Sequence, residues 1–155
     1  MRQKARLSAP KKQKAFYSGK KKRHTLKTQV VVDKKNKKIM CVSVTHGRMH
    51  DFALLKRSKV TVKSETEIGV DSGYQGLQLT HPKTVLPKKN TKLKRLSKAD
   101  KKANRELSCK RVLNENVIGS IKRFKIIADR YRNRRKRFGL RFNLIAGIYN
   151  VELEV

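Results

Sequence analysis

The sequence predicts an α/β layer sandwich in which strands come first and helices cover them. Two apolar, β-branched runs, "TLKTQVVVD" and "IMCVSVTHG", are separated by the polar segment "KKNKK", a pattern that is typical of an antiparallel hairpin. Nearer the C-terminus the pattern changes, because residues 97–131 contain no proline and no glycine before Gly119, which favours a long helix. Together with the shorter segments described next, these runs predict the element order β-β-α-β-β-α-α.

The remaining elements follow along the chain. Residues 1–23 are basic and carry no long apolar pattern, so we expect an arm or loop ahead of a single domain over residues 24–155. The segment "HDFALLKRS" predicts a short helix, and "TEIGVDSGYQG" predicts a buried strand that ends at Asp71, where glycines follow. "KTVLPKKN" predicts another short strand, closed by Pro87. "FGLRFNLIAGIYNVELE" predicts an apolar helix after the long one, whose N-cap is Ser97.

The charge balance indicates a nucleic-acid partner. The 155 residues include 42 Lys and Arg but only 11 Asp and Glu, which gives a formal net charge of +31 at pH 7. Self-repulsion of this size opposes compaction unless a polyanion offsets it, and side chains that neutralise phosphates release counterions. A ribosomal-type RNA-binding protein fits this composition as well as a DNA enzyme does. No apolar stretch approaches the roughly 20 residues of a membrane span, so we expect no membrane partner.

The spacing of cysteine and histidine does not support a zinc site. Cys41 and Cys109 are isolated from each other, so we expect reduced thiols in a reducing compartment. His46 and His50 lie four residues apart, but no third His and no Cys completes a metal-ligand spacing with them.

Helical periodicity separates two faces of the long helix. One face is an apolar stripe that must pack on the sheet, formed by Leu113, Val117, Ile121, Phe124, Ala128 and Tyr131. Another face carries Arg111, Glu115 and Lys122, with Ser108 beside them. The simpler interpretation of Glu115 is a solvated ion pair with Arg111, which would stabilise the helix by ~0.2–0.5 kcal/mol.

Asp71 favours a different role for Glu115. Functional sites gather at the carboxyl ends of strands in open α/β sheets, which is where Asp71 is predicted to lie. Two-metal phosphoryl transfer needs carboxylates from separate elements, with oxygen donors that suit Mg²⁺. Asp71 and Glu115 come from a strand end and a helix, as this chemistry requires. The alternative for Asp71 is a cap on the turn that follows it.

Several blocks of the sequence, in order, resemble the DDE transposases of bacterial insertion sequences, in the branch with a "YSGKKKRHTLK" block. The blocks are "FYSGKKKRHTLKTQVVVD", "GRMHDFALLKRS", "DSGYQG", "LPKKN" and "ANRELSCKRVLNENVIGSIKRFKIIADRYRNRRKRFGLRFNLIAGIYN". The resemblance covers about Pro10 to Glu152. It implies an RNase H-like fold, a two-metal Mg²⁺ site, and Asp71 and Glu115 as the second and third catalytic and metal-binding acids.

The resemblance also assigns roles to the residues around these acids. The family's Arg-x3-Glu-x6-Lys signature is matched by Arg111, Glu115 and Lys122, although Ser108 replaces the Tyr of some branches. Asp51 of the "HD" pair is expected to support the site rather than to bind metal. The implied partners are insertion-sequence ends and further copies of the chain on DNA, in the cytoplasm and on the nucleoid of a bacterium. The expected DNA-binding residues are Lys20, Lys21, Lys22, Arg23, Arg111, Lys122, Arg130, Arg132, Arg134 and Arg135.

The first of the family's three acids has no counterpart here. It should lie on a central strand just ahead of "YSGKKKRHTLK", but the chain has "MRQKARLSAPKK" there and no acid before Asp33. Codons compatible with residues 1–11, read one nucleotide earlier, can encode Asp-Ala-Thr-Glu-Ser-Pro-Ile-Glu-Arg-Pro, which is typical of the family. We therefore expect residues 1–10 to be out of frame, the central strand to be missing or replaced, and residues 24–155 to be a partial catalytic domain, inactive alone. The alternative is a non-catalytic nucleic-acid-binding protein, either ribosomal-type or a regulator of transposition.

Overall fold

The computed structural model describes residues 2–6, 13–19, 22–91 and 95–155. Its strands, in chain order, are β1 (Arg2–Arg6), β2 (Tyr17–Ser18), β3 (Arg23–Val32), β4 (Ile39–His46), β5 (Ile68–Gly69) and β6 (Thr84–Val85). Its α-helices are α1 (Gln13–Phe16), α2 (Asp51–Ser58), α3 (Lys98–Ile121), α4 (Lys125–Ala128) and α5 (Phe138–Glu152). Short 3-10 turns cover Ser72–Tyr74, Leu77–Leu79 and Arg135–Arg137.

The predicted hairpin is confirmed as the antiparallel pair of β3 and β4, with Val30 opposite Val42. Its turn is held locally, because the side chain of Asp33 accepts a hydrogen bond from the Lys35 backbone N–H at 2.9 Å. Asn36 does the same for the N–H of Lys38, also at 2.9 Å. The polar "KKNKK" segment thus supplies the turn that joins the two strands.

Strand β3 is buried on both faces. Leu26 and Val30 point to one face, where α3 and α5 cover the sheet and form the main core. Thr25, Lys27 and Gln29 point to the other face, which α2 and the 3-10 turn at Ser72 cover. The core cluster comprises Leu26, Val30, Ile39, Val117, Ile118, Ile121, Ile127, Tyr131, Phe138, Phe142, Ile145, Ala146 and Tyr149. The layered α/β arrangement that the element order predicts is therefore present.

Within residues 1–23, where the sequence predicts an arm or loop, the described segments Arg2–Arg6 and Tyr17–Ser18 are strands. β1 pairs antiparallel with β3, from Arg2 opposite Gln29 to Arg6 opposite Thr25. The short β2 pairs with the first two residues of β3. β3 offers backbone N–H and C=O groups along both edges, and β1 pairs with groups that the hairpin with β4 leaves open. The basic composition of these residues concealed their role as strands.

Strands β5 and β6 form a separate parallel pair, with Ile68 opposite Thr84. Within the described residues, no strand joins this pair to the four-stranded sheet of β1, β2, β3 and β4. β5 ends at Gly69, two residues before the predicted end at Asp71, although the Val70 N–H still donates to the Val85 carbonyl at 3.1 Å. Asp71 therefore lies just beyond the strand, at the start of a turn.

Helix α3 begins as predicted, since Ser97 is its N-cap. The Ser97 hydroxyl accepts a hydrogen bond from the Asp100 N–H, and the Asp100 carboxylate accepts one from the Ser97 N–H, which completes a capping box. The helix ends at Ile121, and Phe124 then adopts an extended backbone conformation. The predicted stripe therefore does not continue as one helical face beyond Ile121: Ala128 is exposed, although Phe124 packs against the core and Tyr131 is buried in it.

The last predicted helix is confirmed as α5, which packs against β4 and α3. Phe142 is fully buried at the centre of its packed face. The described part of the chain contains no helix that is both long and apolar enough to span a bilayer.

Candidate active site

Asp71 is held by its own turn and by helix α3. Its Oδ1 accepts a hydrogen bond from the Ser72 N–H at 2.7 Å, and its carbonyl accepts one from the Tyr74 N–H at 3.0 Å. The same Oδ1 accepts a second hydrogen bond from Nη1 of Arg111 at 2.9 Å. Asp71 therefore caps the turn, as one interpretation predicts, and it also forms an ion pair with the long helix.

Arg111 binds Asp71 instead of Glu115. The described ion pairs include none between Arg111 and Glu115, so the predicted solvated pair on the helix surface is wrong. Glu115 is exposed one turn after Arg111, about 6 Å along the helix axis and about 40° around it. Nε of Arg111 is buried and has no hydrogen-bond partner, which leaves a donor of this guanidinium unused.

Behind the turn lies a buried ion pair. Nζ of Lys27 on β3 lies 2.9 Å from Oδ1 of Asp51 at the start of α2, and the two side chains are 5% and 3% exposed. Lys27 also donates a hydrogen bond to the carbonyl of Met49. A buried charge is tolerated only with a close counter-charge, which each of these two residues supplies to the other, and Lys27 has the hydrogen bond to Met49 in addition. Asp51 is thus engaged by a lysine inside the fold, which agrees with the supporting role expected for it.

The turn that begins at Asp71 rests directly on this ion pair. A Cβ atom added at Gly73 would lie 2.3 Å from Oδ2 of Asp51, so a side chain has no room there. Tyr74 is buried, and its hydroxyl donates a hydrogen bond to Oε1 of Gln29 at 3.3 Å. The backbone after Asp71 is thereby positioned against β3 and α2 on two sides.

Lys27, Gly73 and Tyr74 are the residues of this region that the sequence analysis missed. A lysine inside the apolar run "TLKTQVVVD" was a usable signal, because a buried lysine requires an acidic partner elsewhere in the chain. Nothing local to Lys27, however, points to Asp51 as that partner.

The basic residues expected to contact DNA occupy two described regions and one helix. Lys22 and Arg23 are exposed at the start of β3, whereas Lys20 and Lys21 lie outside the described residues. Lys122 is exposed at the C-cap of α3. The segment between α4 and α5 exposes a dense group of cations: Arg130, Arg132, Arg134 and Arg135. The guanidinium of Arg135 lies 4.6 Å from the centre of the Phe16 ring, so this segment adjoins α1.

The donor types near Asp71 suit a hard cation, but their number is too small. Asp71 and Glu115 offer carboxylate oxygens, the ligands that Mg²⁺ prefers. Among the described residues, no three His, Cys, Asp or Glu side chains are grouped so that they could hold a metal ion. The Arg111 guanidinium also competes for the Asp71 carboxylate. Each of these carboxylates suits Mg²⁺ by its chemistry, but no third such ligand is grouped with them among the described residues.

Comparison with known proteins identifies the class. Residues 3–150 match the model of the DDE superfamily endonuclease family, and the chain belongs to that family. It is similar, at 47% identity over 148 residues, to the protein described as "Probable transposase for insertion sequence element IS702" from Microchaete diplosiphon. The aligned part is 95% of this chain and 54% of the relative, so the chain spans about half the length of the curated relative it matches.

These matches confirm the resemblance to the DDE transposases of insertion sequences. They do not favour a ribosomal-type RNA-binding protein. No solved structure matches the chain significantly.

Proposed function

We propose that this chain is part of a transposase catalytic domain of RNase H-like fold, which cleaves and transfers DNA strands when it is complete. Asp71 and Glu115 are the second and third of its three catalytic carboxylates. The contact between Oδ1 of Asp71 and Nη1 of Arg111 supports this assignment best, because it joins the end of β5 to the turn of α3 that precedes Glu115. A strand end and a helix are the two elements from which such acids are expected.

Asp71 and Glu115 would hold Mg²⁺ together with the missing first acid. The bound ions would activate water and then a DNA 3′-hydroxyl as nucleophiles. Within this chain, Arg111 orients the Asp71 carboxylate through their ion pair, and the turn around Gly73 fixes its backbone.

The first carboxylate is proposed to be encoded in a neighbouring reading frame that joins this one at Lys11 and Lys12. Residues 1–32 contain no Asp or Glu that could supply it, since the first acid of the chain is Asp33. The nucleotide before the Met1 codon should then be G, so that a GAT codon for Asp overlaps the ATG. Sequencing the locus checks this point, and an upstream frame without an Asp-Ala-Thr-Glu coding would contradict it.

The activity itself can be tested with two forms of the protein. The 155-residue chain with Mg²⁺ should leave insertion-sequence ends intact, whereas a form with the corrected upstream frame should cleave them. In the corrected form, Asp71→Asn and Glu115→Gln should each abolish cleavage while DNA binding persists. Glu106→Gln is the matched control, because Glu106 is exposed on the opposite side of α3, nine residues before Glu115. Cleavage by the Glu115→Gln variant at the unmodified rate would refute the assignment.

A further inference from the structure

Helix α5 is apolar on two opposite faces. Its inner face packs into the core through Phe138, Phe142, Ile145, Ala146 and Tyr149. Its outer face, which we define as Leu140, Leu144, Gly147, Ile148 and Val151, lies on the solvent side. The side chains of Leu140, Leu144 and Val151 are 70%, 65% and 61% exposed. A helix that is apolar on two opposite faces is normally covered on both, so the outer face is a candidate contact surface.

The spacing of the outer face fits a second helix. Leu140, Leu144, Gly147 and Val151 recur at intervals of four, three and four residues, the alternation that forms the seam between two packed helices. A Cβ atom added at Gly147 would meet no other residue within 4 Å, so the backbone is accessible there. Another helix can therefore approach closely at the middle of this face.

The charges around the outer face favour a second copy of the chain over an anionic partner. Arg141 donates a hydrogen bond to the Tyr131 hydroxyl, Glu152 forms an ion pair with Arg123, and Glu154 forms one with Lys38. The carboxylates of Glu152 and Glu154 are thus already paired, and Arg141 is directed toward Tyr131, in a chain whose net charge is +31. Two copies can meet here with little of the repulsion that their basic surfaces would cause. The outer face itself carries no cation that could bind a phosphate backbone.

We infer that the outer face of α5 is a homodimer interface. In an antiparallel, two-fold pair, Leu144 of each copy lies opposite Ile148 of the other, with Gly147 near the crossing point. The interface is short, roughly 1,000 Å² in total, at the low end for specific association, so the dimer should dissociate in the micromolar range. This inference does not depend on the assignment of the catalytic acids.

Sedimentation equilibrium of the nucleic-acid-free chain, in high salt and from about 1 to 100 μM, tests the inference. We expect a concentration-dependent dimer. Leu144→Asp should weaken dimerisation at least about tenfold without changing the far-UV circular dichroism spectrum. Leu79→Asp is the matched control, because Leu79 is a 91% exposed leucine on another surface, and it should dimerise like the unmodified chain. A monomer at every concentration, as expected if another segment of a longer protein covers this face, would overturn the proposal.

Cysteine cross-linking provides a second measurement if Leu144→Asp fails to fold. In a background with Cys41→Ser and Cys109→Ser, Gly147→Cys should form a disulfide-linked dimer on mild oxidation. Gly119→Cys is the control, since Gly119 is also an exposed helical glycine with no neighbour within 4 Å of an added Cβ. Equal cross-linking of the two variants would show that the copies meet by random collision, and the proposed interface would be wrong.

Discussion

At the residue scale, the buried ion pair of Lys27 and Asp51 decides where the turn at Asp71 can lie. Asp51 contacts Gly73, two residues after Asp71, and Lys27 of strand β3 forms the ion pair with Asp51. Removing one partner of a buried pair leaves an uncompensated charge, which costs far more than the pair contributes. The stability of the fold and the geometry of the candidate site are therefore linked at these side chains.

Lys27→Met should lower the free energy of unfolding by about 3–5 kcal/mol, because it leaves the Asp51 carboxylate buried without its cation. The double variant Lys27→Met with Asp51→Leu should recover a large part of this loss. Lys34→Met is the control, since Lys34 pairs with Glu67 at the surface and should cost at most about 1 kcal/mol. Urea unfolding measures all three variants, and equal losses for Lys27→Met and Lys34→Met would contradict the buried pair.

Gly73→Ala should destabilise the fold by about 1–3 kcal/mol, because the new methyl group would overlap the Asp51 carboxylate. Gly119→Ala provides a comparison of opposite sign: it lies in α3 with free space around an added Cβ and should stabilise by about 0.5–1 kcal/mol. Thermal unfolding of the two variants measures the difference. A Gly73→Ala variant as stable as the unmodified chain would show that the turn does not rest on Asp51.

At the element scale, different interactions fix the two ends of α3, the helix that carries Arg111 and Glu115. Its start depends on the capping box of Ser97 and Asp100, and its last turns are fixed by the burial of Val117 and Ile121. The hydrogen bond from the Lys88 side chain, and then those from Ser97, hold the pKa of Asp100 below its ordinary value. A carboxylate with a lowered pKa stabilises the helix above its ordinary pKa of about 3.9 and loses this effect as the pH falls through the lowered value.

Ser97→Ala should lower the free energy of unfolding at neutral pH by about 0.5–2 kcal/mol, because the Asp100 N–H loses its acceptor. The difference between Ser97→Ala and the unmodified chain should shrink in acid, once Asp100 is protonated and the box is already weakened. Ser108→Ala, at an exposed position inside the same helix, should be neutral or slightly stabilising. Unfolding curves at neutral and at acidic pH test the prediction, which fails if the two serines respond alike.

At the scale of the whole molecule, the apolar residues that stabilise the fold and the cations that give the chain its net charge lie in different places. Among the described residues, the buried charged side chains of Lys27 and Asp51 lie outside the core between the sheet and helices α3 and α5, and most other cations are exposed. The exposed segment between α4 and α5 concentrates arginines next to α1. Contacts of this kind bind phosphates and carry little sequence information.

Replacing Arg130, Arg132, Arg134 and Arg135 by Ala should weaken duplex DNA binding at low salt to a similar degree for every sequence. The slope of log K against log[salt] should become shallower by up to about 0.9 for each phosphate contact that is lost. The matched control replaces four exposed cations near the start of α3: Lys98, Lys101, Lys102 and Arg105. Fluorescence anisotropy over a salt series measures both. An unchanged slope in the first variant would exclude this segment from the DNA-binding surface.

Features that depend on near neighbours in the chain can be predicted without the structure. The hairpin of β3 and β4, the Ser97 cap and the extent of α5 follow from alternation, capping and helical periodicity, which act over a few residues. Which distant residues contact each other depends instead on the packing of the folded chain. Arg111 binds Asp71, 40 positions away, although Glu115 is one turn from it, because packing of α3 beside β5 brings the Asp71 carboxylate within reach. Lys27 with Asp51, the pairing of β1 with β3 and the exposed outer face of α5 have the same origin, since each depends on how distant segments pack and not on their local pattern.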